Sequence, residues 1–211
     1  MIANNARFDN NFRIKESSLE NQATQLQANE TLALLGYHSP PKRHGIRILS
    51  IDGGGMRGII ALEMLRQFEA ETGQKIHELF DFICGVSTGA IIASFLGFHK
   101  KTIAEVEQTY KEIGSQIFTQ DWTEGYLGYV KSHSYYNTKK YEDILKSFVG
   151  EITMSDLSRN LNPVPKVAII SSQVSEQRIA PYVFRSYELP FRVYSSFNGS
   201  SKYPIWAGKL I

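Results

Sequence analysis

Two short stretches of this chain carry residue types whose spacing could do chemistry. The first is Gly85-Val86-Ser87-Thr88-Gly89, a serine with a glycine two residues away on each side. That spacing suits a tight turn between a strand and a helix, which lifts the serine Oγ toward a substrate. The glycines remove the Cβ atoms that would collide in such a turn. The helix beginning there aims free N–H groups at developing negative charge. The second stretch is Asp52-Gly53-Gly54-Gly55-Met56-Arg57-Gly58. Its three successive glycines present bare backbone amides at a helix N-terminus, which is an anion cradle. Beside a serine nucleophile the cradle becomes an oxyanion hole for ester hydrolysis, where each lost donor costs about 3 kcal/mol of transition-state stabilisation.

Each candidate has a plainer reading. Gly85 to Gly89 could be an ordinary glycine-rich turn. The glycine loop also reads as G-x-G-x-x-G, a dinucleotide fingerprint, which needs an acidic residue at the end of the next strand. Here that strand ends in Cys84-Gly85 and runs into the serine turn. A triad in the order Ser, Asp, His would draw on Asp121 and His133, both in an irregular stretch. Asp52 and Asp81 read as local hydrogen-bond partners rather than bases. Cys84 reads as a small core residue. Arg57 fits either a surface residue or a headgroup contact. Trp122, Tyr126, Tyr129, Tyr135 and Tyr136 could meet a lipid interface, or simply pack.

The elements that must position these residues follow from periodicity. Ile46 to Ile51 is a short apolar run, expected as a buried parallel strand. Ile59, Ile60, Leu62, Met64, Leu65 and Phe68 then recur at helical spacing. Leu79 to Cys84 is a second strand candidate, followed by a helix from Ala90 to Leu96. Thr102 to Ile113 is a third domain helix, capped by Thr102, with Ile103, Val106, Tyr110 and Ile113 on one face. Tyr141 to Phe148 is helical, and Val164 to Ser172 and Tyr182 to Tyr187 are further strands. Strands alternating with helices predict an α/β sheet layered by helices.

Residues 1–44 read as a polar appendage with a helix between Ser17 and Leu35, which Gly36 and Ser39-Pro40-Pro41 would end. With 211 residues, 42% of them hydrophobic, the remainder can bury one core. A net charge of +2 makes no case for a nucleic-acid partner. One cysteine excludes an intrachain disulfide and a cysteine-rich metal site. The longest apolar run, Ala90 to Phe98, is far short of a membrane span, and the N-terminus lacks a secretory apolar segment. The chain is therefore expected to be soluble and intracellular, with any membrane contact peripheral.

Taken together, residues 45–96 resemble the start of the patatin-like phospholipase domain. That family pairs a D-G-G-G-x-R-G loop with an F-D-x-x-x-G-x-S-T-G elbow, and both stand here without departure, the second as Phe80 to Gly89. The likeness is closer still to the family's calcium-independent members of gamma type, through Leu32 to Tyr37, Gly45 to Ile51, Lys166 to Ala168 and Tyr203 to Trp206. The resemblance implies a three-layer α/β/α sandwich that cleaves acyl esters of phospholipids and neutral lipids. It implies a Ser–Asp dyad with no metal and no cofactor. By motif, Ser87 is the nucleophile, and Gly53, Gly54, Gly55 and Arg57 form the oxyanion hole. Gly85, Val86, Thr88 and Gly89 shape the elbow. The family's aspartate sits in a D-G-G or D-G-A motif, yet no such motif follows Ser87, and the last aspartate is Asp156. The sequence after Trp206 also leaves the family pattern, in Ala207-Gly208-Lys209. The expectation is a sandwich incomplete at its C-terminus, a truncated product inactive by itself.

Overall fold

The computed structural model describes residues 19–37, 44–118, 138–157, 165–173, 178–190, 193 and 195–209. The aromatic stretch from Trp122 to Tyr136, with Asp121 and His133, lies outside the described residues, as do residues 1–18.

The four runs expected as strands join one five-stranded sheet in the order β1-β2-β3-β4-β5, whose short fifth strand the sequence reading did not include. These are β1 (Ile48–Ile51), β2 (Phe82–Val86), β3 (Lys166–Gln173), β4 (Ala180–Arg185) and β5 (Asn198–Ser200). β1, β2 and β3 are mutually parallel, β4 runs antiparallel to β3, and β5 parallel to β4. β2 differs from its sequence reading. Ile76 to Leu79 make a helical turn instead, closed where the Glu78 carboxylate accepts the Lys75 amide. The β1–β2 ladder therefore begins at Phe82 and continues to Val86, directly before the serine.

The helices are α1 (Leu19–Leu34), α2 (Gly58–Thr72), α3 (Ile76–Leu79), α4 (Thr88–Gly97), α5 (Ile103–Phe118) and α6 (Thr138–Val149). α4 is apolar all round, and every one of its residues is buried. It lies on β2 and β3 with α2 and α5 stacked over it. α5 buries Ile103, Val106, Tyr110 and Ile113. It starts in a capping box, since Thr102 Oγ1 accepts the Glu105 amide while the Glu105 carboxylate accepts the Thr102 amide. α2 buries Gly58, Leu62 and Leu65, whereas Ile60, Met64 and Phe68 stand more than half exposed. α1 ends in a Schellman motif, with Gly36 at φ 78 and the Tyr37 amide bonded to the Leu32 carbonyl.

Strand side chains alternate across the sheet. Ile51, Ile83, Val167, Ile169 and Phe184 are buried in the core that α4 covers. On the other face Ile48, Val86 and Ile170 are exposed and Phe82, Cys84 and Lys166 half-buried. The fold is thus α/β as expected, with α4 packed on the sheet and α2 and α5 stacked over it. Cys84 departs from its sequence reading, because β2 turns it toward the less covered face rather than into the core.

Candidate active site

β2 ends at Val86, α4 begins at Thr88, and Ser87 alone makes the turn between them. Its backbone sits at φ 54 and ψ −127, a region that a residue with a Cβ avoids, and its side chain is exposed. Holding a non-glycine residue there costs about 1–3 kcal/mol and needs surroundings that over-determine it. The surroundings are steric. A Cβ on Gly85 would press into the Gly89 carbonyl, and one on Gly89 into the carbonyls of Ile51 and Asp52. Glycine at both positions lets the first turn of α4 close against the ends of β1 and β2.

The glycine loop leaves β1 at Ile51 and enters a single 3-10 turn, Gly55–Arg57, that leads into α2. It meets the serine directly. A Cβ built on Gly53 would stand 2.7 Å from Ser87 Cβ and 3.3 Å from Ser87 Oγ. Both loops therefore lie at the carboxyl ends of adjacent parallel strands, where open α/β sheets bind their ligands. Gly55 has φ 57, which glycine adopts without strain.

Hydrogen bonds fix the loop. The Gly54 amide donates to Thr88 Oγ1 at 3.2 Å, and the Arg57 amide to the Gly54 carbonyl at 3.2 Å. The Tyr110 hydroxyl, reaching over from α5, donates to the Gly55 carbonyl. Burial raises the Tyr110 pKa, partly offset by hydrogen bonds from Thr88 and the Gly58 amide. The Gly53 and Gly55 amides have no acceptor among the described residues.

Of the other candidates, Arg57 is exposed on the 3-10 turn, with its Cβ 3.5 Å from where a Gly54 Cβ would be. Asp81 accepts the Arg47 amide at 2.9 Å and pairs with its guanidinium at 3.2 Å, so it serves as a local clamp. Asp52 is exposed and makes no such bond among the described residues, unlike its sequence reading. No described side chain hydrogen-bonds the Ser87 hydroxyl. Among the described residues no three His, Cys, Asp or Glu side chains group as metal ligands. Tyr110 was legible only as a core position of α5. A tyrosine in an otherwise aliphatic stripe signals a buried hydroxyl that needs a partner, but not which partner.

Fold and geometry define an α/β protein with a serine elbow set against a glycine loop at the carboxyl end of a parallel strand pair. The patatin-like phospholipase family model matches residues 49–203, and the chain belongs to that family. It is 40% identical over 196 residues to calcium-independent phospholipase A2-gamma of Mus musculus and over 197 residues to that of Homo sapiens. Each match covers 92% of this chain and 25% of the relative, so the chain spans about a quarter of their length. Phospholipase A I of Arabidopsis thaliana is 32% identical over 195 residues, covering 77% of this chain and 15% of the relative.

Proposed function

We propose that this chain carries the nucleophile half of a lipid acyl hydrolase. Ser87 Oγ attacks the ester carbonyl of a phospholipid or neutral lipid, the alcohol leaves, and an acyl-enzyme forms that water then cleaves. The amides of the Gly53-Gly54-Gly55 loop hold the oxyanion. The Gly53 and Gly55 amides have no acceptor among the described residues and can do so, while the Gly54 amide is held by Thr88 Oγ1. Arg57 adds positive charge at the mouth for an oxyanion or a headgroup phosphate. The chemistry needs no metal, in keeping with relatives named calcium-independent. The lipid is reached by peripheral contact with its surface, and no described helix is long and apolar enough to cross a membrane.

The observation that carries this reading is the strained Ser87 backbone with Gly53 packed against its Oγ. A Ser–Asp dyad would supply the base. The described residues offer Ser87 no hydrogen-bonding base, and general-base help is worth about 10²–10⁴-fold. These residues by themselves therefore turn over esters slowly. The same observation favours a second reading, a catalytically silent lipid-binding or regulatory module. The test compares the chain with Ser87→Ala on a chromogenic acyl ester and on phosphatidylcholine vesicles, with and without EDTA. Slow, Ser87-dependent hydrolysis indifferent to EDTA supports the first reading. Vesicle binding with no Ser87-dependent turnover supports the second.

A further inference from the structure

The glycine loop is held by two buried hydroxyls that bond successive residues of it, Thr88 at Gly54 and Tyr110 at Gly55. The Gly54 amide donates to Thr88 Oγ1, and the Tyr110 hydroxyl donates to the Gly55 carbonyl. Thr88 and Tyr110 are both buried, and Tyr110 comes from a helix 55 residues further along the chain. Gly58 lets the hydroxyl in, since a Cβ there would lie on top of it.

Three glycines in a row have no side chains to fix their peptide planes, yet each plane here is held by at least one hydrogen bond. Thr88 holds the Gly53–Gly54 plane through the Gly54 amide. The Arg57 amide holds the Gly54–Gly55 plane through the Gly54 carbonyl, and Tyr110 holds the Gly55–Met56 plane through the Gly55 carbonyl, together with the Gly58 amide. A trans peptide points its N–H opposite its C=O. Holding the Gly54 and Gly55 carbonyls therefore fixes the directions of the Gly55 and Met56 amides, which have no acceptor among the described residues. Donors aimed before the reaction stabilise a developing oxyanion without reorganising at that moment.

We infer that Tyr110 and Thr88 are positioning residues for the oxyanion cradle, acting through the peptide planes of the glycine loop and not by touching the substrate. The inference rests on the hydrolase reading and deepens it. It extends the site from two loops to a third element, α5, whose hydroxyl reaches the cradle from beneath.

The test measures two things on the whole chain, for wild type, Tyr110→Phe, Thr88→Val and Thr88→Ser. One is phosphonylation of Ser87 by a fluorophosphonate probe, resolved into a maximal rate and a half-saturating concentration. The other is amide hydrogen exchange at Gly53 to Arg57, read by NMR. Tyr110→Phe and Thr88→Val should each lower the maximal rate by about three- to tenfold, the worth of one hydrogen bond, with half-saturation unchanged. Both should speed exchange in the loop, while Thr88→Ser keeps wild-type values in both measurements. Two results overturn the inference alone. In one, wild type is labelled and Tyr110→Phe matches its rate, whatever exchange does. In the other, Thr88→Ser falls as far as Thr88→Val. If wild-type Ser87 is not labelled at all, the hydrolase reading fails and this inference falls with it.

Discussion

The serine elbow and the glycine loop face each other across a few ångströms and are held in opposite ways. The elbow is fixed by repulsion. Gly85 and Gly89 are pressed against backbone carbonyls, and the chain has one way through, at the cost of a strained Ser87. The loop is fixed by attraction, through a hydrogen bond to Thr88 and others from Arg57 and Tyr110. Steric constraints do not titrate and barely respond to solvent. Hydrogen bonds do both, so the difference gives a rigid nucleophile beside a cradle that can be loosened.

The largest test of this contrast is at the elbow. Gly89→Ala drives a Cβ into the Ile51 and Asp52 carbonyls, where only backbone movement relieves it. It should lower stability by about 3 kcal/mol or more in urea unfolding. Gly73→Ala is the control, since Gly73 has a positive φ, of 66, which Gly89 lacks, but open space around it. It should cost about 1 kcal/mol, the conformational part alone. Equal losses at the two sites would mean the elbow is not sterically set.

Ser87→Gly should do the reverse. Glycine tolerates φ 54, so the variant releases strain and should gain about 1 kcal/mol in the same assay, after the extra chain entropy of glycine is counted. It should lose all reaction at position 87. A variant less stable than wild type would show that the serine backbone is unstrained.

The smallest effect belongs to the loop and appears in alkali. The Tyr110 pKa is raised from 10.0 by burial in the folded protein. Above about pH 10 the unfolded chain loses that proton first and the folded state holds more protons, so stability falls as pH rises toward the folded value. The burial of Tyr182 and Tyr187 raises their pKa values too and adds to the fall. Tyr110→Phe should make the decline shallower without abolishing it. An unchanged slope would remove Tyr110 from the alkaline transition. The Gly89→Ala loss should stay the same across this range.

The same contrast explains how much was legible in the sequence. Steric demands leave a mark in residue type, so the elbow glycines and Ser87 were readable at their positions, as was the existence of a strand before them. Amphipathic period located α2 and α5, a continuous apolar run located α4, and Thr102 marked the start of α5. Long-range hydrogen bonds leave no such mark. Nothing near Gly55 announces that Tyr110 holds its carbonyl, and nothing near Asp52 announces that its carboxylate would stand without a bond while that of Asp81 is clamped by Arg47. The start of β2 was misread for a local reason. Leu79 and Phe80 look like strand residues, but the Glu78 capping bond holds Ile76 to Leu79 in a helical turn. Cys84 was misplaced because an apolar strand does not say which of its faces a helix will cover.

The central claim is that Ser87 is a nucleophile presented to the glycine cradle. The most direct measurement is to incubate the folded chain with a fluorophosphonate, digest it, and locate the adduct by mass spectrometry. The account predicts one phosphonyl group, on Ser87, absent from Ser87→Ala and lost on prior unfolding. An adduct on another serine, or equal labelling of folded and unfolded chain, would contradict it.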